Sequence, residues 1–320
     1  MNRSSTVVRF ARYIQCAPLW VFRFLEWPFV MLFANRQKTT PAIIILALPR
    51  SGSTVIYQSL CHGLGVDYLS NLWHLMYQLP LLGGLCSARF SRAHISNFKS
   101  EQGFVDGIDG PAEGIRFWQW WLGCGLSDRD CHRHSVAKLR RRSLYLRRVF
   151  TALGVLKKQP FATAYLGHTL VPDRVDSAFP GAALIRLRRD PIANALSLLN
   201  CLRQNGGDWF SVKPIQCDGL EGASEHKRVA SQVYWLNRRL DQSECADSML
   251  TVHYDQLCEN PTKEVERIRV WCEGRGISVK LKHALPKSFP FQKVHFGSNI
   301  DANKIKVELD ILEATYGLLA

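Results

Sequence analysis

The stretch that most constrains the fold is Leu46 to Tyr57, LALPRSGSTVIY, directly after the apolar run Ile43-Ile44-Ile45. A short β-branched run of this kind suits a buried parallel strand. The residues from Ser53 to Leu64 then read as a helix, stopped near Gly63 and Gly65. Strand, glycine-containing turn and helix thus arrive in the order that a phosphate-binding loop requires, with backbone N–H groups and a helix N-terminus facing the anion. On the frame GxxxxGK[ST], Gly52 and Thr54 are kept, Ala47 replaces the first glycine, and Ser53 stands where the lysine belongs. A cation is still present, because Arg50 occupies the loop tip and can reach the same anion.

The rest of the chain continues the pattern. Phe161 to Leu166, Ala183 to Leu187 and Leu250 to His253 read as strands. Between and after them, helices are expected at about 134–153, 172–179, 191–202, 224–240 and 261–272. Pro111, just after the Gly103–Gly110 loop, reads as a helix start that places Glu113 in the first turn. Alternating strands and helices predict a single P-loop-like α/β domain, a central, mostly parallel sheet flanked by helices. It spans residues 41–320 and follows an N-terminal amphipathic or membrane-interfacial segment, residues 1–40. Hydrophobic residues make up 47% of the 320, ample for one core of that size.

A formal net charge of +14 implies an anionic partner: nucleic acid, a membrane surface or a phosphorylated small molecule. No nucleic-acid recognition module is present, so nucleic acid is not expected as the partner. The ten cysteines show no CxxC pair or Cys/His metal spacing and fit a reducing, cytoplasmic setting. Residues 13–34 are rich in Trp, Phe and Leu but carry Pro18, Arg23, Glu26 and Pro28, which argues against a spanning helix. Two readings stay open: an interfacial helix giving peripheral membrane contact, or a helix packed back onto the domain.

A second element narrows the ligand. The strand Ala183 to Leu187 leads through Arg188-Arg189-Asp190-Pro191 to Ser197, which sets Arg189 at the strand's carboxyl end and Ser197 two turns into the next helix. Pro49-Arg50-Ser51-Gly52-Ser53-Thr54 resembles the 5′-phosphosulfate loop of sulfotransferases that use 3′-phosphoadenylyl sulfate (PAPS), and the Arg189–Ser197 spacing is similar to their 3′-phosphate site. Phe179-Pro180-Gly181-Ala182 and the Tyr254–Leu257 segment with Asn260-Pro261 resemble further segments of the family, and Gly110-Pro111-Ala112-Glu113 resembles a segment of its bacterial-type branch. The resemblance covers roughly residues 41 to 275. It implies a PAPS site built from Arg50, Ser51, Gly52, Ser53, Thr54, Arg189 and Ser197, with no metal, and sulfuryl transfer to a hydroxyl acceptor. Arg50 would stabilise the charge that develops during transfer, and Glu113, His74 and His168 are candidates for the base that takes the acceptor's proton.

The chain departs from the family in two places. Gly167-His168-Thr169 stands where many relatives carry a lysine, so His168 is read alternatively as a sulfate contact instead of a base. Lys293 to Ser298 matches the family's 3′-phosphate loop only faintly. The aromatic run Phe117-Trp118-Gln119-Trp120-Trp121 reads as core or as the wall of an acceptor pocket, the latter suiting a small-molecule or lipid-like alcohol. The competing readings are a divergent P-loop kinase and an inactive, nucleotide-binding, membrane-associated scaffold.

Overall fold

The computed structural model describes residues 19–34, 42–91, 96–98, 105–291 and 299–319. In chain order the elements are α1 (Leu19–Ala34), β1 (Ala42–Ala47), α2 (Ser53–Gly63), β2 (Asp67–Tyr68), α3 (Asn71–Leu75), α4 (Pro80–Ser91), α5 (Ile115–Leu122), α6 (Asp128–Cys131) and α7 (Val136–Lys157). They continue with β3 (Phe161–Thr163), α8 (Pro172–Ala178), β4 (Ala183–Arg188), α9 (Pro191–Gln204), α10 (Glu225–Asp241), β5 (Leu250–His253), α11 (Tyr254–Glu259), α12 (Pro261–Gly274) and α13 (Ile300–Tyr316).

The five strands form one sheet in the order β2-β3-β1-β4-β5, with every pairing parallel. All six residues of β1 are buried, which explains why its sequence is apolar throughout instead of alternating. After β1 the chain builds β2 and β3 on one side of it, then crosses to build β4 and β5 on the other. The carboxyl ends of β1 and β4 therefore flank a topological switch point, where an open parallel sheet leaves a crevice. The expected α/β architecture with a central parallel sheet is what the chain adopts.

Behind the sheet, Phe117, Trp118 and Trp121 of α5 are fully buried and pack with Trp73, Phe150, Phe161 and Phe179. Three of the run's aromatic residues are thus core. α5 also starts later than expected. Gly114 adopts φ 76°, and a Cβ there would lie 1.9 Å from Leu69 Cδ2. That left-handed residue breaks any helix begun at Pro111, which instead bridges to Ser70, so Glu113 precedes the helix. β3 ends at Thr163, short of the expected Leu166, where the chain tightens into a 3₁₀ turn at Leu166–Leu170.

Several short elements and the last helix were not anticipated. β2 has only two residues, and α13, capped by the side chain of Asn299, packs on α9 and α10. Asp301 at the start of α13 accepts hydrogen bonds from Arg203 of α9 and meets His226 of α10. The long 206–222 excursion is held by Gln232, whose side-chain amide donates to the carbonyls of Phe210 and Val212. The Lys293–Ser298 stretch lies outside the described residues.

Candidate functional site

The loop between β1 and α2 is shaped by two left-handed residues, Arg50 at φ 62° and Gly52 at φ 101°. Its carbonyls are turned toward side chains of other elements. Thr169 Oγ1 donates to Ala47 O at 3.0 Å, Asn194 Nδ2 to Pro49 O at 2.7 Å and Arg189 Nη1 to Arg50 O at 2.7 Å. Ser51 closes the turn from within, its Oγ donating to Leu48 O at 2.7 Å. Gly52 is the N-cap of α2 and offers no side-chain acceptor, so no cap competes for the first-turn N–H groups of Ser53 and Thr54. Exposed amides at a helix N-terminus favour an anion.

Two guanidinium groups converge on the same loop. Arg50 Nε donates to Ser197 Oγ at 3.3 Å, and Arg189 lies 4.8 Å over the ring of Tyr254. Burial, helped by the charge of Arg50, pulls the pKa of Arg189 below the usual guanidinium range. Among the described residues neither arginine has a carboxylate within ion-pair distance. Asp190, the nearest acid in sequence, caps α9 instead, with Oδ1 accepting from Ala193 N at 2.7 Å. Elsewhere on β4 the contrast is plain, because Arg186 is paired with Asp241. Two unneutralised cations at one loop repel each other unless an anion is shared between them.

Tyr254, the residue directly after β5, is a part of this site that the sequence reading did not single out. A Cβ built on Gly52 would lie 2.2 Å from its Cε2, so the ring rests against the glycine on one side and meets Arg189 as well. Only glycine meets both demands at position 52, the positive φ and the close ring. The signal was the placement of Tyr254 at a strand's carboxyl end beside β4. Asn194 was missed for a similar reason, since its contact with Pro49 follows from how α9 sits on the loop.

The three base candidates fall in different surroundings. Ala112 N donates to Leu69 O at 2.7 Å, which lays the segment before α5 along the end of β2. Glu113 therefore sits at the sheet edge that carries the loop, with β2 two strands from β1, or about 10 Å across the sheet. It is half-buried, has no hydrogen-bond or ion-pair partner among the described residues, and burial pushes its pKa up to about 7. His74 on α3 is pulled below the usual imidazole range by burial and then by Arg116. His168 is wholly buried, with its ring centroid 4.6 Å from that of Trp118 and 5.3 Å from that of Tyr165. Burial pushes its pKa down to about 3, and neither ring nitrogen has a partner. His168 exposes no surface to solvent. The fold gathers Arg50, Ser51, Gly52, Ser53, Thr54, Arg189 and Ser197 around one loop and holds Glu113 along the same carboxyl edge of the sheet.

No curated protein matches the chain. Three solved structures have a similar arrangement at low identity. The crystal structure of sulfotransferase STF9 from Mycobacterium avium is 15% identical, with a TM-score of 0.48, covering 96% of this chain and 72% of that one. Sulfotransferase STF1 from Mycobacterium tuberculosis is 13% identical, with a TM-score of 0.45 and coverage of 92% and 80%. The sulfotransferase domain of the Synechococcus PCC 7002 olefin synthase is 18% identical, with a TM-score of 0.38 and coverage of 76% of each chain. A sequence profile described as the sulfotransferase family matches residues 41–275, nearly three quarters of the protein, and spans the loop, both arginines, Ser197, Glu113 and Tyr254. By that match the chain belongs to the sulfotransferase family.

Proposed function

We propose that the protein transfers a sulfuryl group from 3′-phosphoadenylyl sulfate to the hydroxyl of an amphipathic alcohol, in the reducing cytoplasm and in peripheral contact with a membrane. The observation that carries the donor assignment is the pair of unneutralised arginines, Arg50 and Arg189, meeting at a loop that ends in an uncapped helix. Such a donor set fits a ligand with two separate anionic groups. Arg189 and Ser197 would hold the 3′-phosphate, and Arg50 with the amides of Ser51 to Thr54 would hold the 5′-phosphosulfate. When bound, this co-substrate supplies a sulfuryl group already attached to a phosphate leaving group.

The chain's own task is then positioning, charge stabilisation and one proton transfer. Glu113 removes the proton from the acceptor hydroxyl as that oxygen displaces the 5′-phosphate from sulfur. Arg50 and the α2 amides carry the charge that the broken sulfur–oxygen bond leaves on the phosphate. A carboxyl with a pKa near 7 suits this role, because about half of it is ionised at neutral pH and that half is basic enough to accept a proton. The nine described cysteines are free thiols, in keeping with a reducing compartment.

The test is a binding titration with adenosine 3′,5′-bisphosphate on the wild type, Arg50→Ala and Ser197→Ala. Loss of a charged hydrogen bond to phosphate should weaken binding by about 30-fold for Arg50→Ala, and by less for Ser197→Ala. If the wild type ignores this nucleotide and is instead protected by ATP with Mg²⁺, or if both variants bind as well as the wild type, the donor assignment fails.

A further inference from the structure

Helix α1 is built inside out. The stripe it turns into the protein is Glu26, Val30 and Ala34, spaced four residues apart, and this stripe contains the charged residue. The arc it turns outward is Phe24, Leu25, Trp27, Pro28, Phe29 and Leu32, whose five large side chains are 54 to 75% exposed. A helix that faces water carries the reverse pattern. Its setting is fixed, because Glu26 Oε1 accepts from Leu82 N at 2.7 Å and Oε2 from Tyr145 Oη at 3.3 Å. The apolar arc is therefore held outward by a buried polar contact and is not the loose side of a frayed end.

The neighbouring helix has the opposite chemistry. α7 packs along α1, contains no acidic residue and carries Lys138, Arg140, Arg141, Arg142, Arg147 and Arg148. Lys138, Arg141, Tyr145 and Arg148 recur at helical spacing on one face, and that face meets α1, with Arg148 Nη1 3.6 Å from Met31 Sδ. Among the described residues, Lys138, Arg140, Arg141, Arg147 and Arg148 have no carboxylate within ion-pair distance. Arg142 is engaged locally, donating to Trp120 O and covering its ring.

An apolar arc bordered by cations selects its occupant. A second copy of this chain would cover the aromatic residues but bring two sets of arginines together, a repulsive arrangement. An anionic bilayer satisfies both halves, taking apolar side chains into the headgroup–acyl boundary while its phosphates meet the arginines. We propose that α1 and the adjoining face of α7 dock the protein on an anionic phospholipid surface, with α1 lying in the plane of the interface. The proposal deepens the membrane contact named under the proposed function and rests on that part alone. Nucleotide binding measured on the same preparations stands or falls separately.

The experiment is flotation with vesicles of phosphatidylcholine, with and without phosphatidylserine, at low and high salt. The full chain is compared with Arg141→Gln/Arg148→Gln and with Trp27→Ser/Leu32→Ser, all of these exposed or interfacial positions outside the nucleotide site. The wild type should float with phosphatidylserine vesicles and be released by salt. Each charge near the surface contributes enough that the arginine pair should lower partitioning about 30-fold. The apolar pair should lower it roughly tenfold or more, and both variants should bind adenosine 3′,5′-bisphosphate as the wild type does. The proposal is overturned if the wild type stays with the unbound fraction, or if both variants float as well as it does. It is also overturned if sedimentation shows a dimer that Trp27→Ser/Leu32→Ser dissolves while vesicles capture nothing.

Discussion

Glu113 combines two properties that pull in opposite directions. Burial without a partner raises its pKa to about 7, so the folded protein holds its proton more tightly than the unfolded chain does. The linkage sign follows: ionising this group works against folding as the pH rises from the ordinary carboxyl range toward 7. Glu113→Gln should therefore melt higher than the wild type at pH 8, with the difference gone at pH 4, as thermal unfolding at the two values would reveal. The same substitution should lower turnover by roughly 10²- to 10⁴-fold if Glu113 is the base, and wild-type turnover should fall as the pH drops below about 7. A variant that is more stable yet as active as the wild type would remove Glu113 from the mechanism. Gly52 offers a second test at this scale. Gly52→Ala meets both an unfavourable φ and the Tyr254 ring, and should cost about 1–3 kcal/mol with loss of nucleotide binding. Adding Tyr254→Ala relieves the ring contact but not the backbone strain, so denaturant titration of the double variant should show partial recovery. Arg50, Arg189 and Ser197 were legible in the sequence because a strand, its turn and the next helix fix their relative places. Tyr254 and Asn194 were not, because their contacts arise only when β5 pairs with β4 and α9 settles on the loop.

At the scale of elements, the most informative contact is the one between α1 and α4. Glu26, a residue that reads in sequence as a charge interrupting an apolar run, accepts the backbone N–H of Leu82 in the first turn of α4. It thus caps a helix 56 residues away and places a negative charge at that helix's positive end. Glu26→Ala should cost about 1–3 kcal/mol, since it leaves a buried donor unpaired. It should also speed proteolysis within α1 before the rest of the chain unfolds, which limited digestion followed by mass spectrometry would detect. Strands β1, β4 and β5 were readable to within a residue from β-branched runs bounded by turn residues. β2 was not, because two residues carry no period, and the Pro111 helix start failed because the conformation of Gly114 outweighed a favourable proline. α13 was overlooked although its signals were present, with Asn299 as cap and Ala302, Ile305 and Leu309 as its buried stripe.

For the whole molecule, the loop, β4, α9 and α11 all contribute to the proposed anion site, so a bound nucleotide should stabilise the fold globally. Adenosine 3′,5′-bisphosphate at about 100 times its dissociation constant should add about 2.7 kcal/mol and raise Tm by several degrees. At the same concentration a roughly 30-fold weaker dissociation constant leaves Arg50→Ala only about 0.9 kcal/mol of that stabilisation, and calorimetry with and without nucleotide measures the difference. Among the described residues no helix is long and apolar enough to cross a membrane. Part of the +14 charge lies on α7, which carries Lys138, Arg140, Arg141, Arg142, Arg147 and Arg148 and no acidic residue. The position of β1 at the centre of the sheet also sets a timetable for synthesis. Both of its neighbours are encoded far downstream, β3 on the order of 120 residues after it, so at typical translation rates this strand waits roughly 10 s for any partner. A ribosome-bound chain that ends before Phe161 holds the complete phosphate loop and no sheet to carry it, so nascent chains of increasing length should acquire nucleotide-dependent protease resistance only after β4 and α9 have emerged.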